Sequence, residues 1–182
     1  MSSPAAPAAR YVLSGAPGAG KTAVLRALSE LGYEVVAEAA TDVIAAWQER
    51  GVGEPWLDPA FTDWIAALQR DRQQRAAAGG IQFFDRSPVC TLALARYLGH
   101  PVGPVLAAEL ERVVRAGVYQ RRVFFLEPLG FIEPTAARRI SYAESIEFGR
   151  VHEAEYRRLG FELVDVPAAP VAARAAMIAA RV

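Results

Sequence analysis

The chain has 182 residues, 20 basic and 20 acidic, so it is neutral and of a size for one domain that buries about two-thirds of its unfolded surface. Neutrality excludes a general polyanion binder, which needs surplus positive charge, so neither nucleic acid nor an anionic membrane is expected as a partner. The single cysteine, Cys90, excludes an internal disulfide, the two histidines make no zinc signature, and no apolar run approaches the roughly eighteen residues of a membrane helix.

Residues 1–9 hold no basic group and no long apolar core. They are expected to be a disordered lead-in, not a signal peptide, to a cytoplasmic domain over residues 10–182. Residues 11–14 form a short apolar run, read as a first strand. Gly15-Ala16-Pro17-Gly18-Ala19-Gly20-Lys21-Thr22 follows and fits G-x-x-x-x-G-K-[ST] in full. The glycines let the backbone fold around an anion with its amide hydrogens inward, and the helix that follows adds the positive end of its dipole. In this cradle Lys21 is expected to reach the β- and γ-phosphates of ATP or GTP, and the Thr22 hydroxyl to ligate Mg²⁺. Composition makes the same point independently. The chain has 19 arginines, 36 alanines, no asparagine and one lysine, Lys21. If a GC-rich genome displaced the other lysines, the survivor is expected where a guanidinium cannot substitute, as against phosphate oxygens.

Residues 22–31 place Val24, Leu25, Leu28 and Leu31 at helical spacing, and Gly32 stops them. Residues 33–37 read as a second strand and 38–50 as a helix. Residues 51–59 read as a Gly/Pro loop, and 59–78 as a helix with Phe61, Trp64, Ile65 and Leu68 on one face. Residues 81–84 form a third strand ending at Asp85, and 88–98 and 105–116 are helical. Residues 123–126 are a fourth strand, followed by a polar stretch expected to form a lid around 130–145. A charged helix over 142–159, a fifth strand over 161–166 and a helix over 171–180 complete the chain. Strand and helix alternate and the strands are uniformly apolar, which predicts an α/β fold of three layers with a parallel sheet covered on both sides.

Two kinds of P-loop protein are excluded. A Ras-like GTPase reads guanine with N-K-x-D or T-K-x-D, which a chain with no asparagine and no second lysine cannot contain. An AAA+ motor needs a strand ending Asp-Glu and usually a helical lid domain, whereas the third strand here ends Asp85-Arg86. A compact kinase-like domain remains. In such sheets ligands bind at the carboxyl ends of the strands. Asp85 is therefore a candidate to hold Mg²⁺ or to take a proton from an acceptor hydroxyl, its alternative being a helix N-cap. Arg86 is a candidate for binding the transferred phosphoryl group, or for an ion pair with Asp85 or Glu38. Glu38 is expected either to position or deprotonate the acceptor or to be a first-turn acid. Arg138 and Arg139 are lid candidates for neutralising phosphate charge. Among Trp47, Trp56, Phe61 and Trp64, one or two are expected to wall an acceptor and the rest to be core. His152 reads as a packed or solvated residue and Cys90 as a small core residue.

In order, the pieces Ser14–Thr22, Leu31-Gly32-Tyr33-Glu34-Val35-Val36-Ala37-Glu38-Ala39-Ala40, Phe83-Phe84-Asp85-Arg86-Ser87, Val123-Phe124-Phe125-Leu126-Glu127-Pro128 and Tyr156 to Pro167 resemble the AAA-domain ATPase family grouped with the ribosylnicotinamide-kinase domain of NadR. The resemblance implies a nucleoside/nucleotide-kinase fold of five parallel strands in order 2-3-1-4-5, with ATP or GTP and Mg²⁺ at the first strand. It also implies that Glu38 and Asp85-Arg86-Ser87 stand where nucleoside kinases keep acceptor and catalytic residues. The lid, Ala136-Ala137-Arg138-Arg139-Ile140, departs from the pattern in lacking a nearby aspartate. The expected function is an ATP-dependent phosphotransferase acting on a hydroxyl of a small, nucleoside-like acceptor. The alternative is a nucleotide-binding switch or a slow ATPase or GTPase without an acceptor. A chamber beside the γ-phosphate, lined by Glu38, Arg86 and aromatics, distinguishes the two; a homodimer is compatible with either.

Overall fold

The computed structural model describes residues 7–130 and 140–182. Five strands, β1 (Ala9–Gly15), β2 (Glu34–Val36), β3 (Ile81–Asp85), β4 (Arg122–Leu126) and β5 (Glu162–Val166), form one sheet in the order β2-β3-β1-β4-β5. Every pairing is parallel. Among the described residues seven α-helices connect and cover the strands: α1 (Lys21–Glu30), α2 (Ala40–Glu49), α3 (Phe61–Arg75), α4 (Pro88–Leu98), α5 (Pro104–Arg115), α6 (Tyr142–Arg158) and α7 (Val171–Ala179).

The apolar runs alternate between two faces. Leu13, Phe83 and Phe124 point to one side, where Val24, Leu25 and Leu28 of α1 and Ala175 and Ile178 of α7 close over them. Val12, Phe84 and Val123 point to the other side, onto Val89 and Cys90 of α4, Val113 of α5 and Tyr156 of α6. Each fully buried large side chain contributes about 1.5–3 kcal/mol relative to exposure, and the central strands β1, β3 and β4 present such residues to both faces. A separate cluster of Ala39, Val43, Phe61 and Ile65 joins α2 to α3.

The differences from the sequence-based expectation lie at the edges. β1 begins at Ala9, inside the predicted lead-in. There the Ala8 amide donates to Ala78 O at 3.2 Å and the Ala9 amide to Gly80 O at 2.8 Å, so the backbone just before β1 is tied to the turn before β3. A 3₁₀ turn over Pro55–Leu57 stands within the predicted loop. Of the predicted lid, residues 131–139 lie outside the described residues. Among the described residues no helix is long and apolar enough to cross a membrane.

Gly15 pairs with Leu126 across β1 and β4 at φ +133°, and a Cβ there would stand 2.5 Å from the Leu126 carbonyl oxygen. Because that obstacle is backbone in the middle of a sheet, Gly15→Ala is expected to cost about 2–4 kcal/mol of stability, read as a lower urea midpoint. A loss below about 0.5 kcal/mol would contradict this.

Candidate active site

The carboxyl end of β1 opens into the cradle. Gly20 caps α1 from the left-handed region (φ 81°) and no side chain caps the helix. The first-turn amides of α1 are thus left without a side-chain acceptor and with the positive end of the helix dipole behind them, which suits an anion. Lys21 is 7 % exposed, and its Nζ donates to Ala16 O at 3.0 Å and Gly15 O at 3.3 Å. Burial, assisted by the Arg86 charge, pulls its pKa down to about 7 against the opposing pull of Asp85 and Glu38. The ammonium is therefore under-neutralised: more negative charge in the cradle would raise its pKa.

Asp85 and Arg86 stand at the carboxyl end of β3, next to β1, and both line the same cavity as Lys21. Arg86 has φ 71°, the one non-glycine residue with positive φ among the described residues. Such a conformation costs about 1–3 kcal/mol and is tolerated where its surroundings determine it. Here they do. The Arg86 amide donates to Leu13 O at 3.1 Å, Nε to Glu38 Oε1 at 2.8 Å, and Nη1 to His152 Nε2 at 2.9 Å. His152 is 1 % exposed and its Nδ1 donates to Phe148 O at 2.8 Å, which leaves Nε2 as the acceptor. Burial and the Arg86 charge hold the His152 pKa well below 6.5, so the ring is a neutral acceptor. Burial works against the Arg86 charge, but Glu38 and Asp85 outweigh it and keep the guanidinium firmly protonated.

Glu38 precedes the N-cap of α2, Ala39, and so is not a first-turn acid. Its Oε1 accepts from Arg86 and its Oε2 from the Thr41 hydroxyl at 2.9 Å. Burial raises its pKa, yet Arg86, Lys21 and Thr41 together hold it below the usual value. Arg72 of α3 fixes this corner, with Nη1 donating to the carbonyls of Ala37 at 3.0 Å and Glu38 at 2.6 Å and Nη2 pairing with Asp42. The N-cap of α4 is Ser87, whose Oγ accepts from the Val89 amide, so Asp85 is not the cap. Arg138 and Arg139 lie outside the described residues.

These groups open onto one cavity of about 940 Å³ that runs from Pro17, Gly18 and Thr22 to an apolar chamber between α2, α3, α4 and α6. Trp56, Phe61, Tyr97 and Phe148 line it, with Gln69, Thr91 and Glu144 as polar groups. Of the four expected aromatics, Trp56 and Phe61 face the cavity, while Trp47 and Trp64 stack on each other at 4.0 Å beside it. α6 is anchored beneath the site, where Tyr156 OH lies 2.7 Å from Ser87 Oγ and 3.1 Å from Cys90 Sγ, and Cys90 Sγ lies 3.4 Å from Ser14 Oγ. His152, Phe148 and Glu144 were not singled out from sequence as parts of the site. The signal for the first two was present: Ser145, Phe148, Gly149, His152 and Tyr156 fall on one helical face, and all five are buried.

The donor set suits Mg²⁺. The Thr22 hydroxyl and the Asp85 carboxylate are hard oxygen donors on the same cavity, next to a cradle whose amides suit phosphate. A nucleotide-bound cation needs only one or two such protein ligands.

Comparison with known proteins agrees with this geometry. No curated protein matches the chain in sequence. In fold it is similar to deoxyadenosine kinase from M. mycoides with bound dATP, at 13% identity and TM-score 0.58, covering 94% of this chain and 98% of that one. The same kinase with bound dCTP gives 14% and 0.58, and with the products dCMP and a flexible dCDP 13% and 0.59; both cover 94% of this chain and 97% of theirs. At this identity the likeness is one of fold, and the shared fold is that of P-loop nucleoside kinases. A family profile described as AAA domain (AAA_28) matches residues 10–174, from β1 into α7. The chain therefore belongs to the AAA-domain (AAA_28) family of P-loop nucleotide-binding proteins.

Proposed function

We propose that the chain transfers the γ-phosphoryl group of a nucleoside triphosphate to a hydroxyl of a small, nucleoside-like acceptor. The observation that carries this is the single cavity joining the phosphate cradle, through Asp85, Arg86 and Glu38, to an aromatic-walled chamber. A switch or simple NTPase has no use for such a chamber, whereas a kinase must seat its acceptor there, away from water.

The loop amides and Lys21 hold the triphosphate. Mg²⁺ would be held by the Thr22 hydroxyl and, through a water, by Asp85, and would neutralise phosphate charge. The acceptor lies against Trp56 and Phe61 with its hydroxyl toward Asp85. Both oxygens of Glu38 already accept hydrogen bonds and its basicity is depressed, so Glu38 orients Arg86 and the acceptor. Asp85 takes the proton. The acceptor oxygen forms a bond to the γ-phosphorus, the bond from that phosphorus to the β–γ bridging oxygen breaks, and the nucleoside diphosphate leaves. Arg86, locked between Glu38 and His152, faces the transferred group at no cost in reorganisation. The test is a screen of nucleosides, sugars and amino alcohols for acceptor-stimulated release of ADP or GDP. ADP or GDP release that no acceptor accelerates would favour the switch reading.

Lys21 supplies a pH prediction. Its pKa of about 7 is expected to rise several units when phosphates enter the cradle. Binding at about pH 8.5 should therefore take up close to one proton, and at about pH 6, where the ammonium is already charged, almost none. Above pH 7 this costs up to about tenfold in affinity per unit. Calorimetry in two buffers of different ionisation enthalpy reads the uptake; none at pH 8.5 would contradict it.

A further inference from the structure

Arg174, in α7, is 2 % exposed and far in sequence from every residue of the cradle. Its Nη1 donates to Ala19 O at 2.7 Å, and its Nη2 to Glu127 O at 2.9 Å and Val166 O at 3.3 Å. One side chain thus ties the cradle to the carboxyl ends of β4 and β5. Among the described residues its Nε is buried without a hydrogen-bond partner, and all three of these contacts are to neutral carbonyls. As a space-filler a guanidinium is a poor choice, since burial of a charge and an orphaned donor both count against it. Its position gives it a use. Nη1 would stand 3.4 Å from a Cβ on Gly20, placing positive charge against the back of the cradle.

We propose that Arg174 is a positioning residue for the nucleotide's phosphates. It holds the Ala19 carbonyl on the outer side of the loop. In a planar trans peptide the amide hydrogen points opposite to the carbonyl, so the Gly20 N–H is aimed inward at the phosphate oxygens. The guanidinium also polarises that peptide and adds its charge to the anion site. The inference rests on the cradle binding a nucleoside triphosphate.

The experiment compares the full chain with Arg174→Met and Arg174→Lys, measuring Kd for ATP and for inorganic tripolyphosphate together with urea stability. Arg174→Met is expected to weaken both ligands by the same factor, about ten- to hundredfold, with the acceptor KM unchanged. Arg174→Lys, which keeps charge and one donor, should recover most of that loss. A folded Met variant whose Kd values stay within twofold of the unaltered chain overturns the proposal and leaves Arg174 as a structural tie only. If the Met variant does not fold, the Lys variant decides: a three- to tenfold weaker Kd at unchanged stability supports it, and an unchanged Kd overturns it. Failure of the unaltered chain to bind either ligand would overturn the nucleotide-binding reading as well.

Discussion

Asp85→Asn is expected to lower kcat for phosphoryl transfer by about 10²–10⁴ while changing the Kd for nucleotide by less than about tenfold. The substitution keeps size and shape, so the packing at the end of β3 survives. It removes the negative charge and the ability to take a proton. On the proposed function the loop amides and Lys21 supply most of the nucleotide affinity, and the change leaves them in place. Asp85 is the carboxylate suited to this step because Glu38 is committed to Arg86 and Thr41, and because Asp85 ends β3 on the cavity beside Lys21 and Thr22. A thermal melt within a few degrees of the unaltered chain shows that the fold is intact. Single-turnover transfer within threefold of the original rate would show that the proton leaves by another route.

Lys21→Arg is expected to reduce turnover by about 10²–10³ despite conserving formal charge. The ammonium sits 3.0 Å and 3.3 Å from two loop carbonyls at 7 % exposure, where a planar guanidinium is too broad. An arginine also cannot shed its proton. In the free protein its permanent charge would be repelled by Arg86, whereas Lys21, with a pKa of about 7, adapts. Steady-state kinetics and a nucleotide titration read the effect together. Retention of turnover within threefold would show that the lysine's rarity in this chain is an accident of composition.

The cradle was legible because its residues are contiguous and their purpose is carried by backbone: a glycine pattern between an apolar strand and an amphipathic helix has few other uses. The sheet order was legible only through resemblance, since periodicity identifies strands and not their neighbours. Strand ends shifted where pairing, not composition, decides them. Ala9 and Arg122 are strand residues because Ile81 and Glu162 face them. Asp85, Arg86 and Glu38 were found as candidates from their places after strands, while the ion pair between Arg86 and Glu38 stood as an alternative until geometry settled it. His152 and Arg174 escaped because the contacts that bring them to the site are distant in sequence, 66 residues for His152 to Arg86 and 155 for Arg174 to Ala19, and lie outside either residue's local pattern: α6 reads as charged, and α7 as an alanine-rich closing helix. A polar residue on an otherwise buried helical face is the signal that applies to both.

The indole rings have a consequence for anyone who works with this protein in solution. All three tryptophans of the chain belong to the wall formed by α2, α3 and the 3₁₀ turn before α3: a stacked pair, with Trp56 on the chamber surface beside it. Intrinsic emission is therefore a local gauge of that wall and not an average over the molecule. A compound entering the chamber changes the surroundings of Trp56 directly, whereas one confined to the phosphate end reaches these fluorophores only by shifting helices, so the two halves of the cavity carry separable optical signatures without any label.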